Sequence, residues 1–474
     1  MSEESGTTSS PKTAAIRSVA VIGAGITGLT AAFRLKQRNI PVTLYEASDR
    51  VGGVIQSIRR NGYLAEFGPN SILETSPKIT SLIHDLGLDR RMLYSDPGAE
   101  NRYIVREKRP VALPGSPLGF LRTPLFSIGA KLRLFAEPFI RRRREETEES
   151  LADFVLRRIG REFLDYAINP FVAGVYAGDP ARLSVLHAFP KLHAIEKRYG
   201  SLILGQILGA RERKRRAEVS KQNAKKISFD QGLQVLTDTL GQQLGDSLAL
   251  RRRVLVLERT TRTWRVTSAG GGSPETREYG AVLLVTPAYK IAEMELAGVH
   301  GPGFSPLGQI HYPPVASIVL GFRREDVAHP LDGFGMLIPA VEGFSILGSL
   351  FSSSLFPNRA PTGHVTLTSY IGGVRAPELA LKNGPDLVAM TVRDLRTILG
   401  IRGEPVFEHH VLYPRAIPQY EVGYGRFTSM LTDLETRAPG LFFAGHYRDG
   451  ISLGDSIVSG HNATDRIVAY QGAT

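Results

Sequence analysis

Short apolar runs alternate with helical patterns in the first part of the chain. The run Val19–Ile22 is apolar without interruption, as in a parallel strand that is buried on both faces. A pattern of helical period follows it and leads to a second strand-like run at residues 42–46. This order of strand, helix and strand predicts a βαβ unit with a parallel sheet.

The same kind of run returns much later in the chain. Residues 281–285 and 441–443 are again continuously apolar, and a helical pattern follows the second of them. Alternating patterns between residues 301 and 414 predict a second, mixed sheet, whereas residues 92–210 are mainly helical in pattern. The chain is therefore predicted to be an α/β (α+β) protein with a discontinuous, Rossmann-like nucleotide-binding domain.

The loop after the first strand is rich in glycine. It consists of Gly23, Ala24, Gly25, Ile26, Thr27 and Gly28. In a dinucleotide site the first glycine permits a tight turn, the second lets backbone approach a pyrophosphate, and the third lets the helix pack on the strand. Free N–H groups at the helix N-terminus then face the phosphates. Glu46, at the end of the second strand, is placed to accept hydrogen bonds from ribose hydroxyls.

A second motif follows at once and indicates which dinucleotide is bound. Glu46, Arg50, Gly52 and Gly53 fit the pattern E-x-x-x-R-x-G-G. This resembles the continuation found in FAD-containing oxidoreductases of the amine oxidase and protoporphyrinogen oxidase superfamily. The resemblance implies that Arg50 meets the pyrophosphate and that Gly53 and Val54 pass close to the flavin. We therefore expect FAD rather than NAD.

Four further segments narrow the resemblance to one family. They are Gly68-Pro69-Asn70-Ser71, Asn101-Arg102-Tyr103, the Gly-Val-Tyr-Ala-Gly-Asp stretch at 174–179, and the Ala-Ile-Pro-Gln-Tyr stretch at 416–420. Together they resemble the oxygen-dependent protoporphyrinogen oxidases of the HemY type, over nearly the whole chain. The resemblance implies an FAD enzyme that oxidises a porphyrinogen to a porphyrin with O2 as acceptor and H2O2 as by-product, in haem or chlorophyll biosynthesis.

The family resemblance also assigns roles to individual residues. It places Arg102 against a propionate of the tetrapyrrole, for which a guanidinium is well suited. It makes Ala173, Gly174, Leu337 and Tyr370 part of the substrate cavity, although the family often has Phe or Met in place of Tyr370. The remaining cofactor contacts that it implies are Gly68, Pro69, Asn70, Ser71, Val254, Gly445, His446, Ile451, Ser452 and Leu453. No catalytic acid or base is nominated by the sequence, and no metal constellation is found.

We predict the following division of the chain. The FAD-binding domain comprises residues 16–91, 227–300 and 415–474, and the substrate-binding domain comprises residues 301–414. Residues 92–210 form a mainly helical membrane-binding domain, residues 1–15 a disordered tail, and residues 211–226 a basic loop. Ile128, Leu132, Phe135 and Phe139 recur at helical spacing beside lysine and arginine, as in a segment that lies on a membrane without spanning it.

Composition limits the classes of function. Lysine and arginine number 58 against 46 acidic residues, and this balance favours anionic partners such as acidic lipid or carboxylate-bearing substrates. The pattern contains no nucleic-acid-binding module. The absence of cysteine excludes disulfides, a thiol nucleophile and a cysteinyl-flavin bond. No secretory signal or spanning segment is found, so we expect a cytoplasmic protein that is peripherally associated with the membrane.

Alternatives remain open at the level of substrate. Coproporphyrinogen III carries more carboxylates than protoporphyrinogen IX, and the chain has no lysine or arginine between Ser71 and Lys78 to meet them. This mildly favours protoporphyrinogen IX. A different flavin desaturase or amine oxidase is a more remote reading, and a non-catalytic flavin-fold scaffold is another. The sequence leaves open whether the chain forms a homodimer or passes its product to a ferrochelatase.

Overall fold

The computed structural model describes residues 18–141, 147–215 and 224–473. The predicted tail at residues 1–15 and positions 216–223 of the predicted basic loop lie outside these ranges. The strands are β1 Val19–Ile22, β2 Val42–Tyr45, β3 Ser57–Arg60, β4 Tyr63–Glu66, β5 Ile72–Leu73, β6 Met92–Tyr94, β7 Asn101–Arg106, β8 Arg109–Ala112, β9 Lys226–Phe229, β10 Leu248–Ala249, β11 Arg253–Arg259, β12 Trp264–Ala269, β13 Glu275–Tyr279, β14 Ala281–Leu284, β15 Glu295–Ala297, β16 Val315–Arg323, β17 Gly333–Leu337, β18 Ile346–Leu350, β19 His364–Gly372, β20 Phe407–Tyr413 and β21 Leu441–Phe443.

Helices are distributed along the whole of the described chain. They are α1 Ile26–Gln37, α2 Pro77–Asp85, α3 Pro117–Arg122, α4 Ile128–Phe135, α5 Leu151–Arg158, α6 Arg161–Phe163, α7 Asn169–Tyr176, α8 Val185–Ala188, α9 Pro190–Tyr199, α10 Leu202–Arg215, α11 Gln234–Leu244, α12 Ala288–Ile291, α13 Ser352–Leu355, α14 Pro377–Ala380, α15 Gly384–Leu399, α16 Gly425–Arg437 and α17 Leu453–Ala473. The mixed α/β character predicted from the sequence is confirmed.

The predicted parallel sheet has five strands in the order β10-β2-β1-β14-β21. Its strands come from three separated stretches of chain, and every neighbouring pair is parallel. Apolar residues of α1, α11 and α17 cover one face, whereas the four-stranded sheet β13-β12-β11-β15 and α16 cover the other. Burial on both faces explains why these strands are continuously apolar. Their carboxyl ends, and the loops that follow, meet at one edge.

The second large sheet has seven strands in the order β20-β16-β19-β18-β17-β7-β8. Strand β7 pairs in parallel with β17, and β8 closes a hairpin onto β7. Residues 101–112 therefore belong to this sheet, although we predicted them as part of a mainly helical segment. Their strand pattern is clear locally, but their partner β17 is far away in sequence.

The predicted basic loop at 211–226 also needs correction. Helix α10 continues through Arg215, and strand β9 already begins at Lys226. The prediction of a loop is therefore wrong at both ends of that range. The composition there is strongly basic, and arginine and lysine are good helix formers, so a polar stretch of this kind does not by itself mark the end of a helix.

Candidate functional site

Two glycine loops meet at the carboxyl edge of the parallel sheet: the first comprises residues 23–28 and the second comprises residues 50–53. The Gly52 N–H donates to the Ala24 carbonyl at 2.8 Å, which joins the second loop to the first. A Cβ on Gly28 would lie 1.9 Å from the Gly23 carbonyl oxygen, so only glycine lets α1 start this close to the turn. A Cβ on Gly25 would meet nothing within 4 Å. The second glycine therefore faces open space at the N-terminus of α1.

Glu46 and Arg50 fix the shape of these loops. One carboxylate oxygen of Glu46 accepts from the Ala24 N–H at 2.8 Å, and the other accepts from the Ser48 N–H at 2.9 Å. The Arg50 guanidinium donates to the Gly53 carbonyl at 2.6 Å and to the Val51 carbonyl at 3.1 Å. Glu46 thus lies beside the first loop, where a ribose would be held. The contact of Arg50 with a pyrophosphate stays a prediction.

The C-terminal part of the predicted cofactor site reaches the same edge. Gly445, directly after β21, donates its N–H to the Ser459 hydroxyl of α17 at 2.8 Å. Helix α17 begins with a reciprocal cap, because the Asp455 N–H donates to the Ser452 hydroxyl and the Ser452 N–H donates to the Asp455 carboxylate. Ile451, Ser452 and Leu453 therefore lie at the N-terminus of α17, where the sequence predicts that a helix begins.

His446 and Val254 are two further residues that we predicted as cofactor contacts. The His446 ring is 3.3 Å from the Tyr312 hydroxyl through Nε2, and burial lowers its pKa to about 4, so the ring is neutral at pH 7. Val254 is buried on β11, in the same apolar cluster as Ala20 and Ile22 of β1. Val254 therefore belongs to the apolar layer that covers one face of the parallel sheet.

These residues fit FAD as the bound group. The space in front of Gly25 is open, and the N-terminus of α1 has no side-chain cap. A Cβ on Gly53 would lie 3.5 Å from the Gly25 Cα, so the second loop also borders this space with bare backbone. Unfilled space between two glycines and a helix N-terminus suits a pyrophosphate. When bound, FAD supplies the redox chemistry of the site.

The predicted substrate residues share one face of the seven-stranded sheet. Tyr370 pairs with Gly348, Gly348 pairs with Leu337, and Leu337 pairs with Ile104. Paired residues project to the same face of a sheet, and so do residues two apart in a strand. Arg102 is two residues from Ile104 on β7, so it projects to the face of Leu337 and Tyr370. The register thus brings together three residues that are distant in sequence.

Helix α7 covers this face. A Cβ on Gly174 would lie 2.4 Å from a Leu337 methyl carbon, so the glycine lets the helix approach β17 closely. Ala173 packs with Val315 and Leu347, and Tyr370 borders that cluster. The structure therefore brings Ala173, Gly174, Leu337 and Tyr370 to one place, as the family resemblance implied.

Tyr370 connects the sheet to the predicted flavin segment. Its hydroxyl accepts from the Asn70 side-chain N–H at 2.7 Å and donates to the Gly68 carbonyl at 3.2 Å. Burial raises the pKa of Tyr370 well above its usual range, so the hydroxyl keeps its proton. Pro69 and Ser71 are the neighbours of Asn70 in this turn. A phenylalanine or methionine at position 370 could not make these bonds, which explains what tyrosine adds here.

The structure also reveals charged residues that sequence reasoning did not single out. Glu66, two residues before Gly68, and Arg359 are 3% and 2% exposed, and their charged groups are 3.7 Å apart. Lys226 lies beside the same phenylalanine ring as Arg102. These partners come from different parts of the chain, so no local pattern could have joined them.

One family model and several relatives match this chain over most of its length. The model described as flavin containing amine oxidoreductase matches residues 26–468. Protoporphyrinogen oxidase 2, chloroplastic/mitochondrial, of Arabidopsis thaliana is 36% identical over 95% of this chain and 94% of that protein. Coproporphyrinogen III oxidase of Bacillus subtilis (strain 168) is 28% identical over 95% of this chain and 98% of that protein.

The fold has a close counterpart among crystal structures. A protein from Exiguobacterium sp. 255-15 superposes with a TM-score of 0.79, at 23% identity, over 95% of this chain and 98% of its own. At that identity the likeness concerns the fold.

Proposed function

Because the chain belongs to the protoporphyrinogen oxidases within the family of flavin containing amine oxidoreductases, we propose that it oxidises protoporphyrinogen IX to protoporphyrin IX. O2 is the acceptor and H2O2 is released. The reaction removes six hydrogen atoms in three two-electron steps. The observation that carries the proposal is the match along nearly the whole chain, together with Arg102, Leu337 and Tyr370 on one sheet face beside the flavin segment.

The chain's own residues bind and orient the macrocycle. Leu337, which is half-buried, offers apolar surface to the rings, and Arg102 offers a charged group for a propionate. The bonds from Asn70 to Tyr370 and from Tyr370 to Gly68 hold this surface in register with the FAD-binding loops. Holding the substrate against the flavin in this way contributes by proximity and orientation. We assign no catalytic acid or base.

Coproporphyrinogen III is the second candidate substrate, because the Bacillus relative carries that name. The purified yellow protein should be given each porphyrinogen separately in the presence of O2. We expect protoporphyrin fluorescence to appear faster than coproporphyrin fluorescence. A preference for coproporphyrinogen III would show that coproporphyrinogen III, and not protoporphyrinogen IX, is the substrate. Oxidation of neither substrate by an FAD-loaded protein would refute the proposed function.

Removing the Arg102 side chain should weaken substrate binding and leave FAD in place. Arg102→Ala loses a charge-assisted contact of about 1.5–3 kcal/mol, so we expect KM for protoporphyrinogen IX to rise about tenfold or more. Arg323→Ala is the control, because Arg323 is exposed at the end of β16. Steady-state kinetics and the flavin absorbance of both variants decide the point. An unchanged KM for Arg102→Ala would remove this residue from the substrate site.

We further propose that the protein binds membranes at their surface. No helix among residues 18–141, 147–215 and 224–473 combines the length and apolar character that crossing a bilayer requires. Helices α3 and α4 and the turn after them nevertheless expose a group of large apolar side chains, here named the apolar patch: Leu118, Leu121, Ile128, Leu132, Phe135 and Phe139. Phe139 is 87% exposed and Ile128 is 78% exposed. Several exposed large apolar side chains on neighbouring elements of the chain support interfacial binding.

The apolar patch can be tested without touching the predicted active site. Phe135→Ser together with Phe139→Ser should reduce binding to anionic phosphatidylserine vesicles about tenfold or more, since each buried aromatic ring contributes about 1.5–3 kcal/mol. Val341→Ser together with Val406→Ser is the matched control, because both valines are exposed elsewhere. Co-sedimentation measures the partition. Equal recovery of the two double variants on vesicles would contradict the proposal.

A further inference from the structure

Two basic side chains approach one phenylalanine ring beside the substrate face. The Arg102 guanidinium carbon is 6.0 Å from the centre of the Phe334 ring, and the Lys226 ammonium nitrogen is 5.4 Å from it. Both distances are within the range of a cation–π contact. Arg102 belongs to β7 of the seven-stranded sheet, whereas Lys226 is the first residue of β9 in the sheet β5-β9-β6. The two cations therefore converge from separate sheets.

The backbone directs both cations to this place. Gly333 pairs with Asn101 and Gly335 pairs with Arg102, so Phe334 is the extra residue of a β-bulge and turns its ring toward the cations. On β9, Lys226 pairs with Leu73, which follows closely on the predicted flavin segment. The preceding Lys225 is exposed and lies 4.9 Å from the Tyr94 ring instead. Neighbouring lysines thus project differently, and only Lys226 reaches Phe334.

Arg102 and Lys226 place two partly buried positive charges near each other. Burial lowers the pKa of Lys226, the nearby charge of Arg102 lowers it further, and the Glu100 carboxylate opposes this effect. Within the three described ranges, the Lys226 ammonium forms no hydrogen bond or ion pair. Two partly buried like charges repel each other, and an anion bound between or beside them would relieve that repulsion. Together the two side chains form a positively charged surface that attracts a negatively charged ligand.

We propose that Lys226 is the second cation of a carboxylate subsite in which Arg102 is the first, and that the pair binds the two propionate groups of the porphyrinogen. The inference rests on the proposed function, since that function supplies a dicarboxylate substrate. The Phe334 ring lies within cation–π distance of both cations. Lys226 is accordingly a binding and specificity residue, and it takes no part in the oxidation itself.

The test compares Lys226→Met with Lys225→Met, which removes the same charge from the neighbouring position. We expect Lys226→Met to raise KM for protoporphyrinogen IX about tenfold and to leave kcat within about twofold, as for the loss of one charge-assisted contact. Lys225→Met should behave like the wild type. The dissociation constant of protoporphyrin IX, measured by fluorescence, should rise in the same proportion. For the dimethyl ester, which has no carboxylate, all three proteins should bind alike.

Thermal unfolding separates binding from a structural role. Lys226→Met removes a partly buried charge and a repulsive contact, so the Tm without substrate should be unchanged or higher. A lower Tm, or an unchanged affinity for protoporphyrin IX, would overturn the inference. Equal losses for the free acid and the dimethyl ester would do so as well. If the wild type oxidises neither porphyrinogen, the proposed function fails, and the comparison of free acid with ester still decides the role of Lys226.

Discussion

Gly25→Val is expected to abolish FAD binding while the protein still folds. A Cβ at this position meets nothing within 4 Å, and the backbone there is extended, with φ −70° and ψ 174°, which valine adopts readily. The branched side chain would fill the space in front of the N-terminus of α1. A phosphate held there by two N–H groups would lose about 1.5–3 kcal/mol for each hydrogen bond, so FAD binding should weaken at least about 100-fold.

Two further glycine variants make the result specific. Gly272→Val places the same side chain in open space in the hairpin between β12 and β13 and should keep wild-type flavin content. Gly28→Ala should lose both flavin and stability, because its Cβ would collide with the Gly23 carbonyl at 1.9 Å. Flavin absorbance per protein and the Tm of each purified variant are the measurements. A Gly25→Val protein as yellow as the wild type would refute a phosphate site at this loop.

The nucleotide-binding edge could be predicted because its signals are local. Continuous apolar runs identify strands buried on both faces, and the spacing of Gly23, Gly25 and Gly28 reflects contacts within six residues. The structure places these loops side by side at the edge where the strands end. Each of these features, an apolar strand or a set of closely spaced glycines, can be recognised within one short segment of the sequence.

The face that we propose for the substrate could be identified only through resemblance. Nothing near Tyr370 in sequence indicates that its hydroxyl bonds to Asn70, and the pairing of Arg102 with Gly335 depends on a parallel register between distant strands. Lys226 was hidden for the same reason, since it lies in a basic stretch that looked like solvated surface. The role that we propose for it depends on a bulge at Phe334, and a single extra residue in a strand leaves little trace in a sequence pattern.

Arg359→Met is expected to destabilise the fold by about 3–5 kcal/mol at pH 8, the usual cost of leaving one member of a buried ion pair alone. Glu66 and Arg359 are both almost fully buried, and the Arg359 guanidinium also donates to the Ser228 hydroxyl at 2.7 Å. Glu66 accepts from the Ser57 hydroxyl at 2.6 Å and from the Leu233 N–H at 2.9 Å. The pair thus joins the FAD-binding part to the segment before β19.

The loss of stability in Arg359→Met should depend on pH, because the protonation of Glu66 depends on pH. Burial raises the pKa of Glu66 from 4.5 to about 7 in the folded protein, although Arg359 acts in the opposite direction. A carboxyl group whose folded pKa is raised contributes stability that is complete below its unfolded pKa and is lost as the pH rises through the folded pKa. In the wild type, the stability that protonated Glu66 contributes is therefore fully lost a little above pH 7. Without Arg359 the folded pKa rises further, so the loss continues above pH 7.

Unfolding of the two proteins should therefore diverge above pH 7 and converge near pH 6, where Glu66 is protonated in both. Chemical denaturation at pH 6 and pH 8 measures this difference. The double variant Arg359→Met with Glu66→Gln should recover much of the loss at pH 8, because the amide is neutral at every pH and needs no cation. Arg323→Met, at an exposed arginine, should change stability little at either pH. A loss for Arg359→Met that is equal at pH 6 and pH 8 would mean that its packing, rather than its charge beside Glu66, stabilises this part of the fold.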